Sequence, residues 1–176
     1  MLREEEIINN IIRDVAEKML AAARTAPKAR GNNNLIFAIA EKEDIEKISG
    51  KMKEIGKRID AAFFLRDAEN ILMAPYMLML AAKINTTNLP YCGLCGFANC
   101  EEKRKHPAHP CAFNVNDLGI AIGSAVSIAA AHHIDNRVMY TAGMAVKEMK
   151  LLGEEAEVVL CIPLTATSKN PFFDRK

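Results

Sequence analysis

What the chain has least of is aromatic residues: it contains no tryptophan, and Phe and Tyr make up only 6% of its 176 residues. A core without large rings has to be built from Ala, Ile, Leu, Met and Val. A chain of this length is expected to bury one such core as a single domain, residues 1–176. Neither sign of charge predominates, because the chain has 23 Lys and Arg and 22 Asp and Glu. Since there is no sustained basic stripe, we expect no nucleic-acid partner.

The sequence also lacks the marks of export and of a membrane segment. Arg3 is followed at once by Glu4, Glu5 and Glu6, so the basic segment and apolar core of a signal peptide are missing. There is no run of about 18 apolar residues, so no membrane span is predicted. We therefore expect a cytoplasmic protein, in a reducing compartment where clustered cysteines bind metals more often than they form disulfides.

Hydrophobic periodicity divides the chain into interleaved helices and strands around one core, which indicates an α/β or α+β fold. Helices are predicted at 4–26, 43–59, 117–133 and 144–152. Strands are predicted at 35–40, 71–80, 137–141 and 157–164. The third helix, capped by Asp117, is apolar or small on every side. It is therefore expected to be buried all round, in the domain centre or against a second subunit.

Four of the five cysteines lie in one stretch with the spacing C-x2-C-x4-C-x10-C. They are Cys92, Cys95, Cys100 and Cys111. Gly93 and Gly96 each follow a cysteine directly, which suits a ligand loop whose backbone has to curl close to inorganic sulfide. A [4Fe–4S] cluster requires four thiolates. The spacing therefore favours a cluster held by a cysteine-rich loop at 85–114.

Two alternatives to a cluster remain open. Structural zinc sites usually show two short cysteine pairs, and Cys100 and Cys111 do not form such a pair. Two histidines three residues apart nevertheless complete an alternative zinc set: Cys92, Cys95, His106 and His109. A disulfide pair is the other alternative, weakened by the odd number of cysteines.

The remaining polar and thiol groups have ordinary interpretations. Both histidines and the basic run 103–105 are expected to be solvated. Cys161, between apolar neighbours in a predicted strand, is expected to be a buried small side chain and no ligand. No side chain stands out as a general acid or base, so no catalytic residue is predicted.

The segment 89–100, with its CGxCGxxxC pattern, resembles the opening of a four-cysteine [4Fe–4S] domain. That domain occurs in membrane electron-transport subunits and in carbon monoxide dehydrogenase-associated proteins. Its fourth cysteine usually comes later in the sequence than Cys111 does here.

The flanking segments resemble a second family, the nitroreductases. Residues 21–27 followed by the run 32–34 are similar to their helix, Ala-Pro and Asn-containing flavin loop. Residues 117–125 resemble their central dimer helix, and residues 162–164 with the basic tail resemble their last strand. The combination resembles the uncharacterised ferredoxin-domain family of anaerobes.

This resemblance implies a nitroreductase-like α+β fold, with a central mixed or antiparallel sheet flanked by helices and an inserted cysteine-rich loop. It also implies a homodimer and bound FMN. The residues then expected to contact the FMN phosphate or ring edge are Arg24, Lys28, Arg30, Asn32, Asn33, Lys169 and Arg175.

The sequence thus predicts an iron–sulfur redox protein that binds one [4Fe–4S] cluster. Its electron partner is expected to be another protein or a small-molecule acceptor. With FMN it would be a flavin-dependent oxidoreductase passing electrons between cluster and FMN, and the sequence leaves open whether it is an enzyme. The alternative function is a non-enzymatic binding module in which zinc or a cluster acts as a structural staple.

Overall fold

The computed structural model describes residues 1–173 and shows an α+β fold built on one four-stranded sheet. The strands are β1 (Leu35–Ala40), β2 (Tyr76–Lys83), β3 (Asp135–Asn136) and β4 (Ala156–Thr165). Their order is β1-β2-β4-β3, and every neighbouring pair is antiparallel. Of the two sheet types expected from the sequence, the structure shows the antiparallel one.

Helices cover both faces of the sheet. They are α1 (Glu4–Thr25), α2 (Lys42–Arg58), α3 (Ala62–Ile71), α4 (Cys100–Arg104), α5 (Ala112–Ala131) and α6 (Tyr140–Glu148). Helices α1 and α5 pack on one face of the sheet, and α2, α3 and α6 pack on the other. The short α4 lies in the connection between β2 and α5, and 3-10 turns occupy Ala29–Gly31 and Pro171–Phe173.

The central strand β2 is buried on both faces. Met77 and Met79 point into the core beneath α2, α3 and α6, whereas Leu78 and Leu80 point into the core beneath α1 and α5. A strand covered on both faces has an uninterrupted apolar sequence rather than an alternating one. This explains why the segment around 76–83 lacks the period-two pattern of a half-exposed strand.

Several predicted elements are confirmed and two strands are wrong. The strand 35–40, the strand 157–164 and the first two helices have the predicted positions within about two residues. The predicted strand 71–80 is wrong in its first half, because α3 ends at Ile71 and β2 begins only after Pro75. The predicted strand 137–141 is replaced by β3 and one bridge between Met139 and Cys161, and α6 begins at Tyr140.

Asp117 is not the cap of its helix, which begins five residues earlier, at Ala112. Its carboxylate is buried inside the protein, and both oxygens accept a hydrogen bond from the backbone N–H of Ala29, at 3.1 Å each. A short acidic side chain before an apolar run is a typical cap pattern. Here the same chemistry fixes the 3-10 turn that follows α1 against α5.

The apolar helix α5 is buried on one side only. Leu118, Ala121 and Ala125 are buried, whereas Val115 and Ile120 are 38% and 39% exposed. The prediction that α5 is buried on every side within one chain is therefore wrong. The alternative, that a second subunit covers its exposed side, stays a prediction. By length and composition alone α5 also resembles a membrane-crossing helix. It nevertheless packs against α1 and the sheet as a core helix.

A hydrogen-bonded group that we call the amide cluster joins the cysteine-containing connection to the sheet. Its members are Asn34, Asn85, Thr87 and Asn114. Asn114 Oδ1 accepts hydrogen bonds from Asn34 Nδ2 and Thr87 Oγ1, each at 3.0 Å. Asn85 Nδ2 donates to Asn34 Oδ1 at 2.8 Å, and Asn114 Nδ2 donates to Asn85 Oδ1 at 2.9 Å. The cluster links the start of β1, the exit from β2 and the first turn of α5.

We predict that Asn114→Leu destabilises the protein by about 2–4 kcal/mol, because it leaves several buried polar partners of the amide cluster without a hydrogen bond. Chemical denaturation measures the loss, and amide hydrogen exchange is expected to accelerate at residues 84–88. The matched control is Asn116→Leu, at an exposed position of the same helical turn, where the change is expected to stay within about 0.5 kcal/mol. Equal losses of unfolding free energy in the two variants would contradict the role of Asn114 as the anchor of the cysteine-containing connection.

Candidate metal and flavin site

The cysteine segment, residues 85–111, contains a tight turn at 93–96. The Gly96 N–H donates to the Gly93 carbonyl at 2.9 Å, and Gly96 has φ +86°. That backbone conformation favours glycine because a side chain there is strained. Cys92 directly precedes this turn and Cys95 lies within it.

The third cysteine is placed by the cap of α4. Asn99 Oδ1 accepts a hydrogen bond from the Glu102 N–H at 2.9 Å, and the Glu102 carboxylate accepts one from the Ala98 N–H at 2.8 Å. Two opposing bonds of this kind fix the start of a helix. Cys100 is therefore held as the first residue of α4.

Both histidines of the segment pack around one phenylalanine. The His106 ring stacks on Phe97 with a centroid distance of 4.9 Å, and the His109 ring contacts Phe97 edge-on at 5.4 Å. The two imidazoles are solvent-exposed, as the sequence predicts. They also have a packing role in the loop that the sequence analysis did not anticipate.

The sulfur atoms are not assembled around one point. All five cysteines are free thiols; Cys92, Cys95 and Cys100 are partly exposed, and Cys111 and Cys161 are buried. Within residues 1–173, no three Cys, His, Asp or Glu side chains are grouped closely enough to hold a metal ion. This holds for the four-cysteine set and for the alternative zinc set, so both remain predictions. The donor chemistry fits a metal–thiolate centre, because four thiols lie on one segment and none is in a disulfide.

Cys111 has the environment of a ligand. It occupies the cap position of α5, with its sulfur 3.6 Å from Thr87 Oγ1. Burial alone would raise the pKa of the Cys111 thiol, but hydrogen bonds from the backbone N–H groups of Asn114, Thr87 and Phe113 favour the thiolate and lower that pKa. A thiolate is the form that binds metals.

Cys161 has the opposite environment. It lies in β4 with no exposed surface, and burial strongly raises the pKa of its thiol. The sequence prediction of a small buried side chain is confirmed at this position.

A pocket of about 480 Å³ lies between the cysteine segment and the first turn of α5. Its lining is mainly apolar and includes Leu89, Leu94, Phe113 and the Cys92 side chain. The Tyr91 side chain at its rim is fully exposed, and Leu94 is 73% exposed. The segment thus presents apolar side chains that no other part of residues 1–173 covers.

The flavin candidates near the end of α1 are held by contacts within the chain. Arg24 hydrogen-bonds Asn33 and lies over the Phe37 ring, 4.5 Å from its centroid. The Lys28 ammonium donates to three backbone carbonyls at the end of α1, at 2.7 to 2.9 Å. Burial and the Arg24 charge lower the pKa of Lys28, opposed by Asp117.

Two further flavin candidates contact the cysteine segment. Arg30 donates to the carbonyl of Asn88, and Asn32 Nδ2 donates to the Thr87 carbonyl at 3.2 Å. The structure therefore brings the predicted flavin loop and the predicted metal loop together. Lys169 lies in the exposed segment after β4, and Arg175 lies outside the described residues.

Three important residues were missed by sequence reasoning. Thr87 and Asn114 support Cys111, and Lys103 is buried although it belongs to the basic run 103–105. The prediction that this run is solvated is therefore wrong for Lys103. No sequence signal distinguishes a buried lysine within such a run, and none distinguishes the buried Asn114 from the exposed Asn116 two residues later.

Solved oxidoreductase structures share this fold. A nitroreductase with bound FMN from Bacteroides fragilis superposes with a TM-score of 0.61 at 14% identity, covering 93% of this chain and 81% of that one. The hypothetical oxidoreductase YcnD from Bacillus subtilis gives a TM-score of 0.57 at 16% identity, and this chain spans only 59% of its length. These likenesses show the fold, which is nitroreductase-like as the sequence predicts.

A relative at the sequence level is an uncharacterized protein from Archaeoglobus fulgidus, 37% identical over 182 residues, which cover 99% of this chain and 97% of that protein. Residues 108–175 match the family described as "Uncharacterized protein containing a ferredoxin domain (DUF2148)". The matched region includes Cys111 and begins after the other three cysteines of the segment. The chain belongs to this family of ferredoxin-domain-containing proteins.

Proposed function

We propose that this protein is an iron–sulfur redox protein in which Cys92, Cys95, Cys100 and Cys111 bind one [4Fe–4S] cluster. The observation that carries the proposal is the placement of four cysteines on one segment that the amide cluster ties to the sheet. Membership in a ferredoxin-domain family supports a redox role. The cysteine spacing favours iron over zinc.

The residues around the sulfurs suit this role. When bound, the cluster supplies one-electron redox chemistry, and FMN supplies coupling to two-electron chemistry. Thr87 and the first turn of α5 provide hydrogen bonds to the Cys111 sulfur. Such contacts orient a ligand and adjust the potential of its metal centre. The Gly93–Gly96 turn shapes the loop that carries the first two sulfurs.

FMN is the proposed second cofactor, and its binding site would adjoin the cysteine segment. The likeness to an FMN-bound nitroreductase supports this proposal. Arg24 and Arg30 are the better phosphate partners, because both guanidinium groups are exposed and suit phosphate geometry. The Lys28 ammonium is already engaged by backbone carbonyls. Lys169 and Arg175 remain further candidates from the C-terminal segment.

A second copy of the chain is proposed to cover the outer face of α5. Val115 and Ile120 are exposed there, and Gly119 and Gly123 on the same face leave room for close approach of another helix. The resulting homodimer would work in the reducing cytoplasm, with a redox protein or a small molecule as its electron partner.

A zinc- or cluster-stapled binding module without enzymatic activity is the second candidate. The observation in its favour is the exposure of Tyr91 and Leu94, because a segment with few buried apolar anchors gains order from a metal. A colourless protein that contains one zinc ion per chain and no flavin would support this candidate.

The ligand set is tested by two cysteine variants. We expect Cys100→Ser to lose the cluster, because serine does not replace a thiolate ligand. We expect Cys161→Ser to keep it, because that thiol is buried in β4. Iron, sulfide, zinc and flavin are assayed on the same anaerobically purified samples. Full iron content in the Cys100 variant would refute the ligand set.

The flavin site is tested by titration with FMN, followed by flavin fluorescence. We expect Arg24→Gln to weaken FMN binding about tenfold or more, because a charge-assisted phosphate contact is lost. Arg13→Gln is the matched control, since Arg13 lies exposed on the same helix and pairs with Glu17. Identical affinities for the wild type and Arg24→Gln would place the phosphate elsewhere.

The homodimer is tested by light scattering after size-exclusion chromatography. A charge at the centre of an apolar interface is costly, so we expect Ile120→Glu to shift the protein from dimer to monomer. Ile11→Glu, at an exposed isoleucine of α1, is expected to leave the dimer intact. A wild-type protein that elutes as a monomer at every concentration would contradict the proposed interface.

A further inference from the structure

Lys103 in α4 is almost completely buried. Its side chain is 1% exposed and is among the largest fully buried side chains of the protein. Its neighbours Glu102, Arg104 and Lys105 are exposed. Lysine is rarely buried in a protein unless an anion pairs with it.

The Lys103 ammonium lacks such a partner in the part of the chain that the structure describes. Its hydrogen bond runs to the carbonyl of Ile84 at 3.4 Å. No carboxylate of residues 1–173 forms an ion pair with it. An ammonium carries three donors, so one long bond to a neutral carbonyl leaves a buried positive charge uncompensated.

The nearby acidic side chains do not supply the missing charge. Glu101 and Glu102 are exposed, and the Glu102 carboxylate is used by the Ala98 N–H. The group that does lie on the same side of α4 is Cys100, three residues earlier, because positions three apart share a helix face. Ile84, which accepts the hydrogen bond, directly precedes the cysteine segment.

We propose that Lys103 is the internal counter-ion of an anionic metal–thiolate centre formed by the cysteine segment, an inference that rests on the proposed function. Four thiolates carry more negative charge than a 2+ iron–sulfur core neutralises, so the proposed cluster is anionic, and so is a Zn²⁺ ion held by the same four thiolates. Lys103 then destabilises the metal-free protein, because its charge is buried alone, and stabilises the loaded protein. Lys103 is thus a positioning residue whose charge stabilises the metal–thiolate centre without binding the metal.

The test is a thermodynamic cycle with Lys103→Met, which keeps the apolar stem and removes the charge. Thermal unfolding is measured anaerobically for the metal-free and the metal-loaded protein. We expect the metal-free variant to unfold at the same temperature as the metal-free wild type or higher. We expect the rise in unfolding temperature on loading to be smaller in the variant, and its metal affinity to fall on the order of tenfold or more. Lys105→Met, which removes the same charge at an exposed position, is expected to change neither quantity.

The reduction potential gives an independent measurement if the metal is iron. Removing a nearby positive charge disfavours the uptake of an electron. We therefore expect the equilibrium constant for one-electron reduction to fall about tenfold in Lys103→Met, which corresponds to ~59 mV. Lys103→Arg, which keeps the charge, is expected to restore most of the potential.

Four outcomes would overturn the inference. Equal destabilisation of the metal-free and loaded forms would indicate a packing role alone, and so would a metal-free Lys103→Met protein that does not fold. Unchanged affinity and potential in that variant would show that the charge is not coupled to the centre. A wild-type protein that takes up neither iron nor zinc would instead remove the proposed function and this inference with it.

Discussion

The amide cluster is the interaction on which the candidate site depends. Asn114 accepts hydrogen bonds from Asn34 at the start of β1 and from Thr87, and it donates one to Asn85 after the end of β2. Because Asn114, Asn34 and Thr87 are buried, their side chains have no ready alternative partner in water. The same contacts that fix α5 on the sheet also fix Thr87, and Thr87 touches the Cys111 sulfur. The packing of α5 on the sheet and the surroundings of the Cys111 sulfur therefore depend on the same hydrogen bonds.

The interior of the cysteine segment is ordered by weaker means. A glycine turn, a helix cap of Asn99 and Glu102, and the packing of imidazoles on Phe97 define its path. Its apolar side chains, Tyr91 above all, face outward. Cys111, at its anchored end, has a thiol whose pKa is lowered by hydrogen bonds. Lys103, in α4, is buried without an ion pair to any carboxylate of residues 1–173. This distribution of charge is the complement of an anionic metal–thiolate centre.

The scaffold was predictable because its signals are local. The strand 35–40 and the helix 4–26 follow from short apolar patterns with clear ends, and the structure places both within one residue of the prediction. The start of α5 was not predictable from Asp117. An aspartate that caps its own helix and an aspartate that accepts a hydrogen bond from a distant backbone N–H can stand in the same local sequence. The pairing of Asp117 with Ala29 spans 88 residues. Only the fold reveals such a contact.

The site was predictable in composition and less so in geometry. Cysteine spacing identifies the segment, but it does not fix how far apart the sulfurs lie, and residues 1–173 contain no assembled group of three ligands. The buried state of Lys103 was also beyond the sequence, since a basic run is normally solvated. The flavin candidates Arg30 and Asn32 lie beside the cysteine segment, a proximity that the separation of the two motifs along the chain does not suggest.

The central claim is that the sulfurs of the cysteine segment share one iron–sulfur centre. X-ray absorption spectroscopy at the iron edge, on protein purified without oxygen, tests it most directly. We expect a first shell made of sulfur alone together with scattering from neighbouring iron atoms. A shell of nitrogen or oxygen ligands, or protein that carries zinc in place of iron, would contradict it.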